Sequence, residues 1–232
     1  MEFIYTFLVS LTTLIFATEI SAGFGIKKHR CIPTTPDELG PYYYPFPPKR
    51  RQICDRSFAF PESGRLLVEG RVLNENCKPI TGARVEVWQA DHDGHYLFEE
   101  NCRGHFYAEK GGRYAFLTQH PGKYSTDPNF NLFRPAHVHF RVSSPGYNIL
   151  ITQMYFNGDS SLGKNDSCAD CSSANEDLVV DVQEMCADDT RLYCFDIAHF
   201  DIVLRRGNSV DVVKDSLDSL PELVDASEIG RK

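Results

Sequence analysis

The chain has 232 residues, 42% hydrophobic and 24% charged, and a net charge of −8. This is ordinary globular composition, long enough to bury one sizeable core. The acidic balance argues against a nucleic-acid partner, and the short basic run Lys49-Arg50-Arg51 reads as a solvated loop.

Residues 3–16 carry no charge and are rich in Leu, Ile, Phe and Val, and the small residues Ser21-Ala22-Gly23 follow. That pattern reads as a secretory signal over 1–22, cleaved near Ala22. A membrane anchor is the rival reading, but the apolar run is shorter than the ~20 residues a spanning helix needs. Residues 23–63 form a Pro- and Tyr-rich arm, with Thr35-Pro36, Gly40-Pro41-Tyr42-Tyr43-Tyr44 and Pro47-Pro48. So many prolines rule out a long helix, since each removes a donor and fixes φ. The arm is expected to lie extended over the body, tied down by Cys31 and Cys54.

From residue 64 onward, short β segments alternate with turn signals, as in a sandwich or barrel. Strands are expected over 65–73, 84–90, 112–118, 136–143, 149–156 and 195–204. Asp91-His92-Asp93-Gly94 has turn chemistry. Residues 160–190 read as a long polar excursion. The tail 206–232 is acidic, with at most a marginal helix over 210–220. The fold class expected for 64–205 is therefore all-β, a β-sandwich with an extended N-terminal arm and long loops.

Eight cysteines lie beyond the signal, at 31, 54, 77, 102, 168, 171, 186 and 194. In a secreted chain an even count implies up to four disulfides, although eight cysteines permit 105 pairings. Cys168-Ala169-Asp170-Cys171 could instead be half of a zinc site or a redox pair, but no second CxxC is present. Asn165-Asp166-Ser167 is a glycosylation sequon in a polar loop, which fits secretion.

The chemistry concentrates in Arg134-Pro135-Ala136-His137-Val138-His139-Phe140. On an extended strand the two histidines share one face, while Ala136, Val138, Phe140 and Val142 occupy the other. Such a face is either a polar strand surface or half of a metal site. Tyr96 follows the turn Asp93-Gly94-His95, and Tyr124 precedes His137 by 13 positions. Taken alone, each tyrosine reads equally as a core aromatic with one hydrogen bond.

Several blocks in order resemble the intradiol ring-cleavage dioxygenases, in their secreted form. They are Thr35-Pro36-Asp37-Glu38-Leu39-Gly40-Pro41-Tyr42-Tyr43, the run from Pro79 to Ala90 (PITGARVEVWQA), Asp93-Gly94 with Tyr96, and Gly112-Arg113-Tyr114. Gly122-Lys123-Tyr124, the HxH run, Leu150-Ile151-Thr152-Gln153 and Phe200-Asp201-Ile202-Val203-Leu204 complete the set, spanning about residues 33–205. The resemblance implies a mononuclear Fe(III) held by Tyr96, Tyr124, His137 and His139. Hard phenolate donors suit a ferric ion, whereas zinc sites favour Cys, His and carboxylates. It also implies a catechol or polyphenol and dioxygen as substrates, with Tyr124 as the ligand that leaves and accepts a proton. Arg134, otherwise a surface ion pair, becomes a catalytic cation, and Gln153 its neighbour. Tyr42 becomes a substrate-lining candidate. Nothing in the chain resembles the helical dimerisation region of bacterial members, which implies a monomer with a more open pocket. The competing reading is a non-catalytic secreted β-sandwich carrier or adhesion module without iron. It has no use for two tyrosines, HxH, Arg134 and Gln153 together.

Overall fold

A computed structural model describes residues 30–54, 64–96, 100–186 and 194–207. The expected signal (1–22) and nearly all of the acidic tail lie outside these residues. Among the described residues there are twelve strands, numbered here in chain order. They are β1 (Arg65–Asn74), β2 (Arg84–Gln89), β3 (Arg103–Tyr107), β4 (Arg113–Gln119), β5 (Tyr124–Asp127), β6 (Leu132–Arg134), β7 (His137–Ser143), β8 (Leu150–Phe156), β9 (Val179–Val180), β10 (Val182–Cys186), β11 (Cys194–His199) and β12 (Ile202–Leu204).

They form two sheets, with order β10-β11-β1-β12 plus β4 on β1, and β3-β2-β7-β8-β9. A separate ribbon, β5-β6, carries Tyr124 and Arg134. Period-two patterning explains the layers: Leu66, Val68 and Val72 of β1 and Val138, Phe140 and Val142 of β7 are all fully buried. Phe140 bridges the sheets, with ring centroids 6.1 Å from Phe116 and 5.2 Å from Phe200. This is the expected all-β sandwich.

Some elements differ from expectation. The strand expected over 195–204 is two strands, both parallel to β1, broken at Phe200-Asp201. There Phe200 N–H donates to Glu69 O (2.9 Å), and the Asp201 carboxylate takes the Arg71 N–H (2.7 Å). A side chain thus replaces a ladder acceptor. Gly70 permits the approach, since a Cβ there would lie 2.0 Å from Phe200 O. Strand β10 falls within the expected polar excursion. It is an exposed edge strand with no apolar face to read, held to β11 by the Cys186–Cys194 disulfide.

The arm is extended, as its prolines require, and is bonded to both sheets. Thr34 N–H donates to Val203 O (3.1 Å), Asp37 N–H to Ile151 O (2.9 Å) and Ile53 N–H to Leu117 O (3.0 Å). Arg50 and Arg51 are stitches rather than a solvated run. Arg50 Nε donates to Arg103 O (3.0 Å), and Arg51 donates to Ala115 O (3.0 Å) and Tyr107 O (2.8 Å). All eight cysteines pair, as Cys31–Cys77, Cys54–Cys102, Cys168–Cys171 and Cys186–Cys194. The first two tie the arm to the body.

Candidate metal centre

Strand β7 turns His137 and His139 away from the hydrophobic core, and both remain buried. Their Nε2 atoms lie 3.1 Å apart. Tyr96 Oη completes a triangle, 3.0 Å from His137 Nε2 and 3.2 Å from His139 Nε2. The ring of Trp88, on the neighbouring strand β2, stacks on His139 at 4.7 Å and fixes its plane. Gly40 of the arm packs over the same imidazole.

Local chemistry explains how two loops bring Tyr96 and Tyr124 together. The Asp91 carboxylate takes the amides of Asp93 (3.0 Å) and His95 (2.8 Å), winding the turn that ends at Tyr96. Gly94 has φ +82°, and a Cβ there would lie 2.0 Å from Lys123 O. Gly122 answers from the other loop, where a Cβ would lie 2.3 Å from His92 O. The two glycines let the backbones press together, and the Tyr96 and Tyr124 rings meet edge to face at 5.5 Å. Tyr42 then stacks on Tyr96 at 4.3 Å and sets its hydroxyl 3.0 Å from Tyr124 Oη.

The protonation states suit cation binding. Pro135 O can only accept, so the 2.6 Å contact with His137 Nδ1 places the proton there and a lone pair on Nε2. Burial, assisted by the Arg134 charge, lowers the His137 pKa to about 4. Burial and His137 hold His139 well below the ordinary histidine value. Both imidazoles are therefore neutral at pH 7. Burial pushes the Tyr96 phenol up, and burial with the Tyr42 hydrogen bond pushes Tyr124 up to about 12. Two neutral imidazoles and two phenols that only a cation would deprotonate are a donor set that fits a ferric ion.

Arg134 is buried beside this cluster. Its Nε donates to Asp166 (3.0 Å), and one terminal nitrogen donates to Gln153 Oε1 and Tyr155 Oη (both 3.1 Å). Tyr155 Oη donates to Asp37 of the arm (2.8 Å), and Gln153 Nε2 to Glu38 O (2.8 Å). Tyr42, Tyr96, Tyr124, Arg134, His137 and His139 all line one cavity of about 300 Å³. Gln153 lies behind Arg134 and holds it, rather than lining the cavity. Asp166, Tyr155, Asp37 and the wall formed by Cys168 and Cys171 were not anticipated. Tyr155 shares a strand face with Gln153 and was accessible to period-two reasoning. Asp166 sits in an irregular loop with no periodic signal.

A model of the Dioxygenase family matches residues 39–206. The chain is 34% identical to a catechol 1,2-dioxygenase of Candida albicans over 170 residues, covering 63% of this chain and 50% of that protein. It is 32% identical over 169 residues to the intradiol ring-cleavage dioxygenase prcA of Aspergillus niger, covering 64% and 52%. Among solved structures, the dioxygenase domain of a carbohydrate-binding fusion from Streptomyces sp. SirexAA-E superposes with a TM-score of 0.59 at 28% identity, over 76% of this chain and all of that one. Catechol 1,2-dioxygenase from Pseudomonas arvilla C-1 gives 0.64 at 26%, over 76% and 63%. The chain belongs to the intradiol ring-cleavage dioxygenase family. It spans about half the length of the curated relatives it matches.

Proposed function

We propose that this is a secreted, monomeric intradiol dioxygenase. It inserts both atoms of dioxygen into a catechol, opens the ring between the hydroxylated carbons and releases a cis,cis-muconate-type diacid. The observation that carries this reading is the convergence of Tyr96 Oη, His137 Nε2 and His139 Nε2 within 3.0–3.2 Å, with Tyr124 and Arg134 on the same cavity. Tyr96, Tyr124, His137 and His139 would hold Fe(III). Four disulfides support an oxidising, extracellular setting.

Ferric iron, when bound, supplies the Lewis acidity that makes both catechol oxygens anionic and the electron acceptance that opens the ring to dioxygen. The two imidazoles offer lone pairs without first losing a proton. Tyr124, which would be a phenolate when it holds the iron, would on release take up a catechol proton at Oη, oriented by the Tyr42 hydroxyl 3.0 Å away. The Arg134 guanidinium, held by Asp166, Gln153 and Tyr155, stabilises negative charge developing on the ring. Tyr42, Tyr96 and Tyr124 give the cavity an aromatic lining against which the substrate ring would pack.

The test is anaerobic titration of iron-loaded protein with a panel of catechols, followed by oxygen uptake and mass analysis of products. A muconate-type diacid carrying two oxygen atoms from labelled dioxygen is expected. No oxygen uptake with any catechol, or a ring opened outside the two hydroxylated carbons, rejects the reading. Light scattering checks the monomer.

A further inference from the structure

We propose that the Cys168–Cys171 disulfide is a positioning and size-limiting wall of the substrate cavity, which restricts the enzyme to single-ring catechols with small substituents. The inference rests on the catechol reading above and deepens it.

Cys168, Asp170 and Cys171 line the cavity together with Tyr42, Tyr124 and Arg134. Both flanks of their loop are hydrogen-bonded to carboxylates that organise Arg134. On one side Cys168 N–H donates to Asp166 Oδ1 (2.9 Å), which also takes Arg134 Nε (3.0 Å). On the other, Ser172 N–H lies 3.2 Å from both Asp37 oxygens, and Asp37 takes the Tyr155 hydroxyl that receives Arg134. A shift of this loop therefore moves the wall and both supports of the guanidinium together.

Further hydrogen bonds tether the loop, from Ser167 N–H to Phe133 O (3.0 Å), from Ser172 Oγ to Pro36 O (3.4 Å) and from Gly163 N–H to Ser173 Oγ (3.1 Å), but it has neither apolar bulk nor strand pairing of its own. Residues 166–174, Asp-Ser-Cys-Ala-Asp-Cys-Ser-Ser-Ala, include no large apolar side chain. No strand runs through them. The sequence separation across this disulfide is 3, against 46, 48 and 8 for the others. Chain-entropy stabilisation grows with loop length, so this bridge contributes least to global stability. Its consequence is local rigidity. A cavity of about 300 Å³ is also at the small end of ligand sites, where a modest displacement of one wall changes what fits.

The test compares wild type with the double variant Cys168→Ser, Cys171→Ser, both iron-loaded. kcat and KM are measured for catechol and for 4-tert-butylcatechol. Anaerobic spectral titrations give the dissociation constants of both without turnover, and iron content and Tm are followed in parallel. With iron content and Tm close to wild type, the preference for the bulky ring over catechol is expected to rise about tenfold, the scale on which apolar pockets sense one methylene. Catechol kcat falls as Arg134 loosens. Unchanged preference, or an equal loss on both substrates that follows a lowered Tm, overturns the proposal.

If the variant does not fold, wild type is reduced stepwise with dithiothreitol, alkylated and mapped by peptide mass. Labelling at Cys168 and Cys171 should come first, and the bulky-ring preference should track it. A labelled pair with unchanged preference, or a pair that stays closed until Cys54 and Cys102 open, overturns the proposal equally. Wild type that turns over no catechol rejects the functional reading instead, and the two dissociation constants still decide the wall.

Discussion

Gly94→Ala tests whether the candidate metal centre is built by the close approach of two loops. The substitution has two separable costs. A φ of +82° is unfavourable for alanine by about 1–2 kcal/mol. The new Cβ would also stand 2.0 Å from Lys123 O, where real contacts stay beyond 3.0 Å, so the loops must part by at least 1.0 Å (3.0 − 2.0). That separation is transmitted to Tyr96 and Tyr124, two and one residues away. A 1 Å misplacement at a reacting site costs on the order of 100-fold in rate. Gly82→Ala is the control: its φ is +79°, but a Cβ there meets nothing within 4 Å. It should lose only the conformational term, a Tm drop of about 2–8 °C at the 2–4 °C per kcal/mol of a domain this size, and keep its activity. Gly94→Ala should melt lower still, lose at least about tenfold in iron affinity and about 100-fold in kcat. Differential scanning calorimetry, iron titration and oxygen uptake measure the three. Gly94→Ala with the iron affinity and rate of Gly82→Ala refutes the idea that loop contact sets the Tyr96–Tyr124 geometry.

Tyr124→Phe should weaken the visible tyrosinate-to-iron absorption and lower kcat by about 100-fold or more, the usual contribution of a positioned proton acceptor; unchanged colour and rate in stopped-flow spectra remove Tyr124 from the ligand set. Asp166→Asn leaves Arg134 buried without its anionic partner, since the two side chains are only 8% and 1% exposed. The loss should be about 3 kcal/mol in urea unfolding, and a loss within error would mean that water or another group balances the charge. Metal-free protein should also be acid-labile. The folded His137 pKa, about 4, lies below the ordinary 6.5, so the unfolded chain takes up the proton first as pH falls. Stability is therefore complete above pH 6.5 and lost between 6.5 and 4, by about 3 kcal/mol (2.5 units at 1.36 each). His139 acts in the same direction. A metal-free Tm that does not fall across this window contradicts the burial argument.

How much of this was legible in the sequence follows from what kind of signal each residue leaves. Strands β1, β4 and β7 bury alternating apolar side chains, and that alternation is visible in one dimension, whereas β2 and β8 are buried on both faces. Edge strand β10 has no buried face, so only its pairing and its disulfide define it. The break at Phe200-Asp201 is a tertiary event, a carboxylate replacing a backbone acceptor on a strand 130 positions away. The site divides in the same way. His137 and His139 are read from their spacing, and Tyr96 and Tyr124 from the motif order of a resemblance. No spacing rule connects Asp37, Tyr155 and Asp166, yet they converge on one guanidinium. The first group contains the atoms that would touch iron, and their chemistry restricts them to a few residue types. The second group only has to supply acceptors in the right place, which many sequences can do from many loops. In this chain those acceptors come from the arm, from β8 and from a loop that meets the arm, where Ser172 N–H lies 3.2 Å from both Asp37 oxygens. The parts hardest to read are therefore those that position Arg134 rather than those that would hold the metal, and the wall at Cys168–Cys171 belongs with them.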